Sequence, residues 1–221
     1  MIQKAVFVSC LFIAGNAWSG GHFDVDDAFT LDPGRCQYET WWARSKTDAS
    51  HATHLGPACR IGPAEIGVGV DRVRGPDEPQ NIISPQLKWT FIDAGHDGTV
   101  SAAIVIGIAR DVAQHGKPGR QFLLPVSLRA SNDLLIHVNL GTDWSTTEGV
   151  RSQRRGLAAE WAWTEQFTLI SERNLASGRW TSRAGLRLAV APLLSLDISL
   201  ARSGPDSVRT FVIGVNHEFG R

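Results

Sequence analysis

Beyond residue 19 the chain is patterned by alternation, with no persistent helical period. Ile136, Val138, Leu140, Thr142 and Trp144 fall on one face, opposed by His137, Asn139, Gly141 and Asp143. Leu194, Leu196, Ile198 and Leu200 oppose Ser195, Asp197, Ser199 and Ala201. Near the C-terminus, Phe211, Ile213, Val215 and Phe219 oppose Thr210, Gly214, Asn216 and Glu218, with Val212 and His217 out of step. Pro85, Leu87, Trp89 and Phe91 oppose Gln86, Lys88 and Thr90. A period of two marks strands that are wet on one face only. Clusters of Gly, Pro, Asn, Asp and Ser cut the chain between these runs. Twelve strands are predicted, at 36–44, 52–60, 64–74, 81–92, 99–110, 119–129, 134–144, 155–164, 167–173, 179–190, 194–202 and 208–219; ten is the alternative count. An even number puts both chain ends on one side of a closed sheet. The odd-numbered connections, including 145–154, are longer on average than the even ones. Outer-membrane barrels are wired with long outer loops and short periplasmic turns, and the contrast here is a modest one.

A soluble barrel would turn its apolar face inward, and twelve strands enclose more space than side chains simply fill. The polar face carries Lys88, Arg129, His137, Asp143, Glu160, Glu172, Arg183, Arg187, Asp197 and Glu218. That set is a poor dry core and a tolerable wet or mutually paired lumen lining. The expected fold class is therefore an all-β, antiparallel, up-and-down transmembrane β-barrel spanning 36–221, its apolar face against lipid. Trp41, Trp42, Trp89, Trp144, Trp161, Trp163 and Trp180 fall near strand ends, as interfacial girdles would.

The N-terminus reads differently. Lys4, the apolar run 5–14 and the small residues 15–19 form a secretory signal, with cleavage after Ala17 or Ser19. The run is too short to span a bilayer as a helix, and Phe7-Val8-Ser9 before Cys10 is a poor lipoprotein signal. Residues 20–35 then form an N-terminal periplasmic segment. Removing Cys10 leaves Cys36 and Cys59, an even pair in an exported chain, which favours a disulfide. Pairing strand 36–44 with 52–60 sets the two cysteines almost opposite on one face.

Charge contributes little: Lys plus Arg and Asp plus Glu number 22 each, so no net field favours nucleic acid. His137 with Asp143 and Glu160, and Ser127 or Ser195 as nucleophile, is the one hydrolase-like set. No G-x-S-x-G elbow accompanies it, and the expectation is that the protein is not an enzyme. His51 and His54 lack an acidic or thiol partner nearby in sequence. His22 with Asp24, Asp26 and Asp27 lacks the spacing of an EF-hand. No metal or cofactor is expected. Arg151, Arg154 and Arg155 form a basic patch in the longest predicted loop, suited to lipopolysaccharide phosphates or an anionic solute. Gly67 and Gly69 make room inside the barrel or bend the sheet.

The segments Phe23-Asp24-Val25-Asp26-Asp27-Ala28, Leu31-Asp32-Pro33-Gly34-Arg35, Gln37 and Glu39, Gln86–Phe91 and the closing Gly214–Phe219 resemble the MetA-pathway of phenol degradation family. That resemblance implies an outer-membrane transporter-like barrel in a Gram-negative bacterium, with no catalytic residues. Expected partners are outer-membrane lipids and lipopolysaccharide, the barrel-assembly machinery and a small solute. The leading functional expectation is a channel for that solute through the mixed-charge lumen. A non-conducting structural barrel, a lipid-modifying enzyme and a soluble periplasmic binding barrel are the alternatives.

Overall fold

The computed structural model describes residues 22–47, 49–75, 79–94, 98–113, 118–144 and 151–220. The predicted signal segment 1–19 lies outside them. Twelve antiparallel strands run in order: β1 Arg35–Ser45, β2 His51–Ile61, β3 Ala64–Arg74, β4 Gln80–Ile92, β5 Val100–Asp111, β6 Gly119–Arg129, β7 Leu134–Trp144, β8 Arg151–Ala162, β9 Phe167–Ala176, β10 Arg179–Ala191, β11 Leu194–Ser203 and β12 Val208–Gly220. Each pairs with its sequence neighbours, and β1 pairs with β12 to close the barrel. Closure leaves no edge strand with unpaired backbone groups. The fold is the predicted one.

Cys36 sits directly opposite Cys59 in the β1–β2 register, and the two form a disulfide. Connections at the two rims differ in chemistry. At one rim, called the turn rim here, Gly62 (φ 60°) precedes Pro63 in a two-residue turn between β2 and β3. At the opposite, loop rim, Ser177 (φ 50°) and Gly178 (φ 74°) form a two-residue turn with both centres left-handed. That conformation matches the twist of paired strands. It lets Arg179 pair with Ala176, so β9 runs on to Ala176 where the sequence suggested a loop from 174.

β8 also begins earlier than predicted, at Arg151. The polar tract 151–154 reads as loop because it is charged, yet its two arginines are hydrogen-bonded across the strand pair. Arg151 Nε donates to Thr142 Oγ1 at 3.1 Å, and Arg154 Nε donates to Asp143 Oδ2 at 3.2 Å. The predicted basic loop patch therefore dissolves: Arg154 points inward and Arg151 belongs to the rim of a strand.

The larger departure concerns residues 22–31. They do not lie outside the barrel as a solvated segment; they enter it. From β1 the chain turns back into the lumen, and from Leu31 down to His22 it follows the inner wall past β3, β4, β6, β7, β9, β10 and β11. Val25, Ala28 and Leu31 are fully buried there. Glycine makes the space: a Cβ on Gly156 would meet Val25 Cγ2 at 2.8 Å, and one on Gly185 would meet Phe23 Cζ at 3.0 Å.

Candidate functional site

The interior wall is built from one side-chain parity of every strand. The inserted segment brings backbone N–H groups that need acceptors away from bulk water, and the wall provides them. Asp24 and Val25 donate to the two oxygens of Glu172 (3.0 and 2.9 Å), Asp26 to Asn139 Oδ1 (2.8 Å), Ala28 to Ser127 Oγ (2.8 Å) and Leu31 to Glu65 Oε2 (3.0 Å). Asn139 Nδ2 donates back to Asp26 O, Thr90 Oγ1 to Ala28 O, and Arg60 to Leu31 O. Lys88 Nζ bridges Asp26 and Asp27 at 2.9 and 2.8 Å, and Arg183 reaches Asp24 at 3.1 Å. His22 meets Ser199 Oγ at 2.6 Å. Phe23 lies beside the guanidinium groups of both Arg183 and Arg187, each 5.9 Å from its ring centroid. Burial, then Arg183 and Arg187, push the His22 imidazole down to about 3, so it is neutral at pH 7.

Towards the turn rim, on the side of β7 to β12, buried charges pack against one another. Arg187 holds Asp197 through two bonds, at 2.9 and 3.2 Å, with Glu160 at 3.6 Å, and Asn216 also donates to Asp197. His137, Glu160 and Asp197 are all within 2 % of complete burial. Ser127 Oγ and His137 Nδ1 are 2.8 Å apart, and Glu160 lies 3.9 Å from His137 Nε2, too far for a hydrogen bond. This is the hydrolase-like set that the sequence suggested, without Asp143 or Ser195. It is sealed, and the Ala28 N–H occupies Ser127.

Towards the loop rim the lumen opens into a polar cavity of about 380 Å3 above the inserted segment. Its wall carries a feature that alternation alone did not single out. His54 sits between Asp71 (2.7 Å) and Glu39 (3.1 Å), with Trp41 stacked flat on it at 5.0 Å and 5°. The strand pairing could have exposed it, because Trp41 and His54 are direct partners in the β1–β2 register.

The ten residues picked from sequence separate into groups. Lys88, Glu172 and Arg183 hold the inserted segment, and His137, Glu160, Arg187 and Asp197 fill the turn-rim half. Asp143 pairs with Arg154 near the loop rim. Arg129 and Glu218 lie half-buried at the turn ends of β6 and β12. His22, Asp24, Asp26 and Asp27, grouped in sequence as an acidic cluster, are spent on the wall: His22 on Ser199, Asp24 on Arg183, and Asp26 and Asp27 together on Lys88. His51 is exposed at the rim while His54 turns inward, so the two share no ligand position. Gly67 and Gly69 do make room: a Cβ on Gly69 would meet Ser84 Oγ.

The outer wall is apolar. Leu55, Ile106, Leu140, Leu157, Ile198 and Leu200 are each 47–63 % exposed. Trp42, Trp144 and Trp180 stand near the loop rim and Trp89, Trp161 and Trp163 near the turn rim. Trp41 departs from the expected girdle because its odd parity in β1 turns it into the lumen.

Residues 8–216 match the family model described as uncharacterised conserved protein UCP029691. The chain belongs to that family. No curated protein matches it significantly. Among solved structures the UCP029691 chain is similar to the KdgM porin, with a TM-score of 0.62 and 10 % identity over 83 % of this chain and 99 % of that one. A KdgM porin in complex with disordered oligogalacturonate gives 0.61 and 10 %, over 84 % and 99 %. The NanC porin gives 0.62 and 11 %, over 81 % and 98 %. At such identities the likeness is one of fold.

Proposed function

We propose that this UCP029691 protein is an outer-membrane channel for a small solute whose lumen is closed, in the state described, by its own residues 22–31. The observation that carries this reading is a polar cavity of about 380 Å3 inside a barrel whose outer wall is apolar. An exposed apolar surface of that extent is stable against lipid and not against water. The KdgM and NanC porins use the same fold, and the resemblance to the MetA-pathway family of predicted transporters points the same way. The cavity lining carries six carboxylate residues, Asp24, Asp26, Asp27, Glu39, Glu65 and Asp71, against Lys88 and Arg154. A lining of that balance attracts cations and disfavours a polyanion of the oligogalacturonate kind.

Planar-bilayer recording tests it. Wild-type protein, shown folded by heat-modifiable gel migration, is expected to conduct weakly with cation preference. Lys88→Met, which removes the cation shared by Asp26 and Asp27, is expected to conduct more. Folded wild type and folded variant that are both silent would sink the channel reading. A second reading, a non-conducting structural barrel, is favoured by the Arg187–Asp197–Glu160 packing at the turn rim, and that silent outcome is what it expects.

A further inference from the structure

On the outer wall, one row of directly paired residues runs sideways across six strands: Ile136, Ala159, Ser171, Ala184, Leu200 and Phe211. The three central members are small, while their neighbours on both sides are large. The wall is consequently dished over β8, β9 and β10, in a groove of about 850 Å3. Two residues nearer the loop rim, roughly 7 Å along the strands, the next row reads Leu157, Arg173, Ser182, Arg202 and Arg209. Lys46 adjoins it, its N–H bonded to Arg209 O. Neither row contains a carboxylate.

Arg202 and Arg209 are direct cross-strand partners, both exposed on the same face. Like charges set opposite each other in a sheet repel, and an anion between them removes that cost. Two of the arginines are already oriented: Arg173 lies over the Trp180 ring at 5.0 Å, and Arg202 donates to Ser207 Oγ at 2.7 Å. An apolar trough beneath a row of four cations fits an amphiphile with acyl chains and more than one phosphate, since guanidinium groups bind phosphate by paired charge-assisted bonds.

We propose that this groove binds one phosphorylated, multiply acylated glycolipid of the lipid A type, chains over Ala159, Ser171 and Ala184, phosphates on Arg173, Arg202, Arg209 and Lys46. The proposal rests on the outer-membrane reading above, and on the loop rim facing outwards. It moves the lipopolysaccharide contact away from Arg151, Arg154 and Arg155, where the sequence placed it.

Native mass spectrometry of the full barrel in mild detergent tests it, with bisphosphorylated lipid A, its monophosphoryl form and phosphatidylglycerol as probes. Wild type is expected to retain one lipid A, more tightly than the monophosphoryl lipid and at least about 10-fold more tightly than phosphatidylglycerol. At roughly 5-fold per surface arginine, Arg202→Ala with Arg209→Ala is expected to weaken lipid A binding about 25-fold. Ser171→Trp, which fills the trough and leaves all four cations in the chain, is expected to weaken it as well. Arg110→Ala, at the loop end of β5, is expected to leave it unchanged. Heat-modifiable migration verifies that each variant folds. Equal retention of all three lipids, undiminished binding by the double variant, or an equal loss in Arg110→Ala would each overturn the proposal. Cell fractionation reads the location separately. A barrel in the outer membrane without lipid A preference sinks the groove alone, whereas lipid A binding by a barrel found elsewhere sinks the location alone.

Discussion

The two halves of the lumen are made of the same residue types and behave as different materials. Towards the turn rim, Arg187, Asp197, Glu160 and His137 are sealed from solvent, each charge answered by an opposite one at close range. Towards the loop rim, Glu39, His54, Asp71, Asp143 and Arg154 keep 12–23 % of their side-chain surface in contact with the cavity. The difference is one of solvent. A buried ion pair is costly to break because the survivor is left desolvated, whereas a half-wet pair is screened and worth little. The inserted segment draws the boundary between the halves.

That contrast is broken most severely at Arg187. Arg187→Ala leaves Asp197 and Glu160 buried together, and is expected to destabilise the barrel by about 3–5 kcal/mol. Urea unfolding in detergent measures this, and a loss below about 1 kcal/mol would mean that water reaches the turn-rim half. Next comes the boundary itself. Gly156→Leu drives a side chain into the space of Val25, and is expected to displace residues 22–28 while leaving the wall paired. A cysteine replacing Val25 should then react with a water-soluble maleimide far faster than in the glycine parent.

A smaller effect is expected from pH. His22 folds with its imidazole lowered to about 3 from 6.5. The folded state therefore binds fewer protons than the unfolded one below pH 6.5, so its stabilisation is present above that pH. It is lost as pH falls towards 3, by up to roughly 1.4 kcal/mol per unit. The protection factors of residues 22–28, the observed amide exchange corrected for the intrinsic chemical rate at each pH, should fall on going from pH 7 to 5. His22→Gln should flatten that fall in protection, and an unchanged profile would locate the sensitivity elsewhere. The smallest effect belongs to the loop-rim half. Glu39→Gln is expected to change stability by roughly 0.5–1 kcal/mol or less while lowering cation preference in reversal-potential measurements.

Much of the wall was legible. Ten of the strands end within two residues of their predicted ends at both termini, because alternation and turn residues are local signals; β8 and β9 are the exceptions. The disulfide was legible too, since antiparallel pairing of 36–44 with 52–60 leaves Cys36 facing Cys59. Parity also assigned Lys88, His137 and Asp197 to one face. β8 was misread because charge near a strand end looks the same as charge in a loop until its cross-strand partners, Thr142 and Asp143, are known.

The amino-acid pattern by itself determined that this chain alternates, how often it turns, and which side chains share a face, since each follows from neighbours two residues apart. Only the closed barrel decided what that face encloses. Residues 22–31 carry four acidic or imidazole side chains and read as solvated; what takes them inside is a ring of acceptors and cations, Glu65, Lys88, Ser127, Asn139, Glu172 and Arg183, contributed by six strands and brought together by closure. The same holds outside, where Ala159, Ser171 and Ala184 become a groove only because three strands bring them side by side. Such long-range encounters leave no periodic trace in the chain.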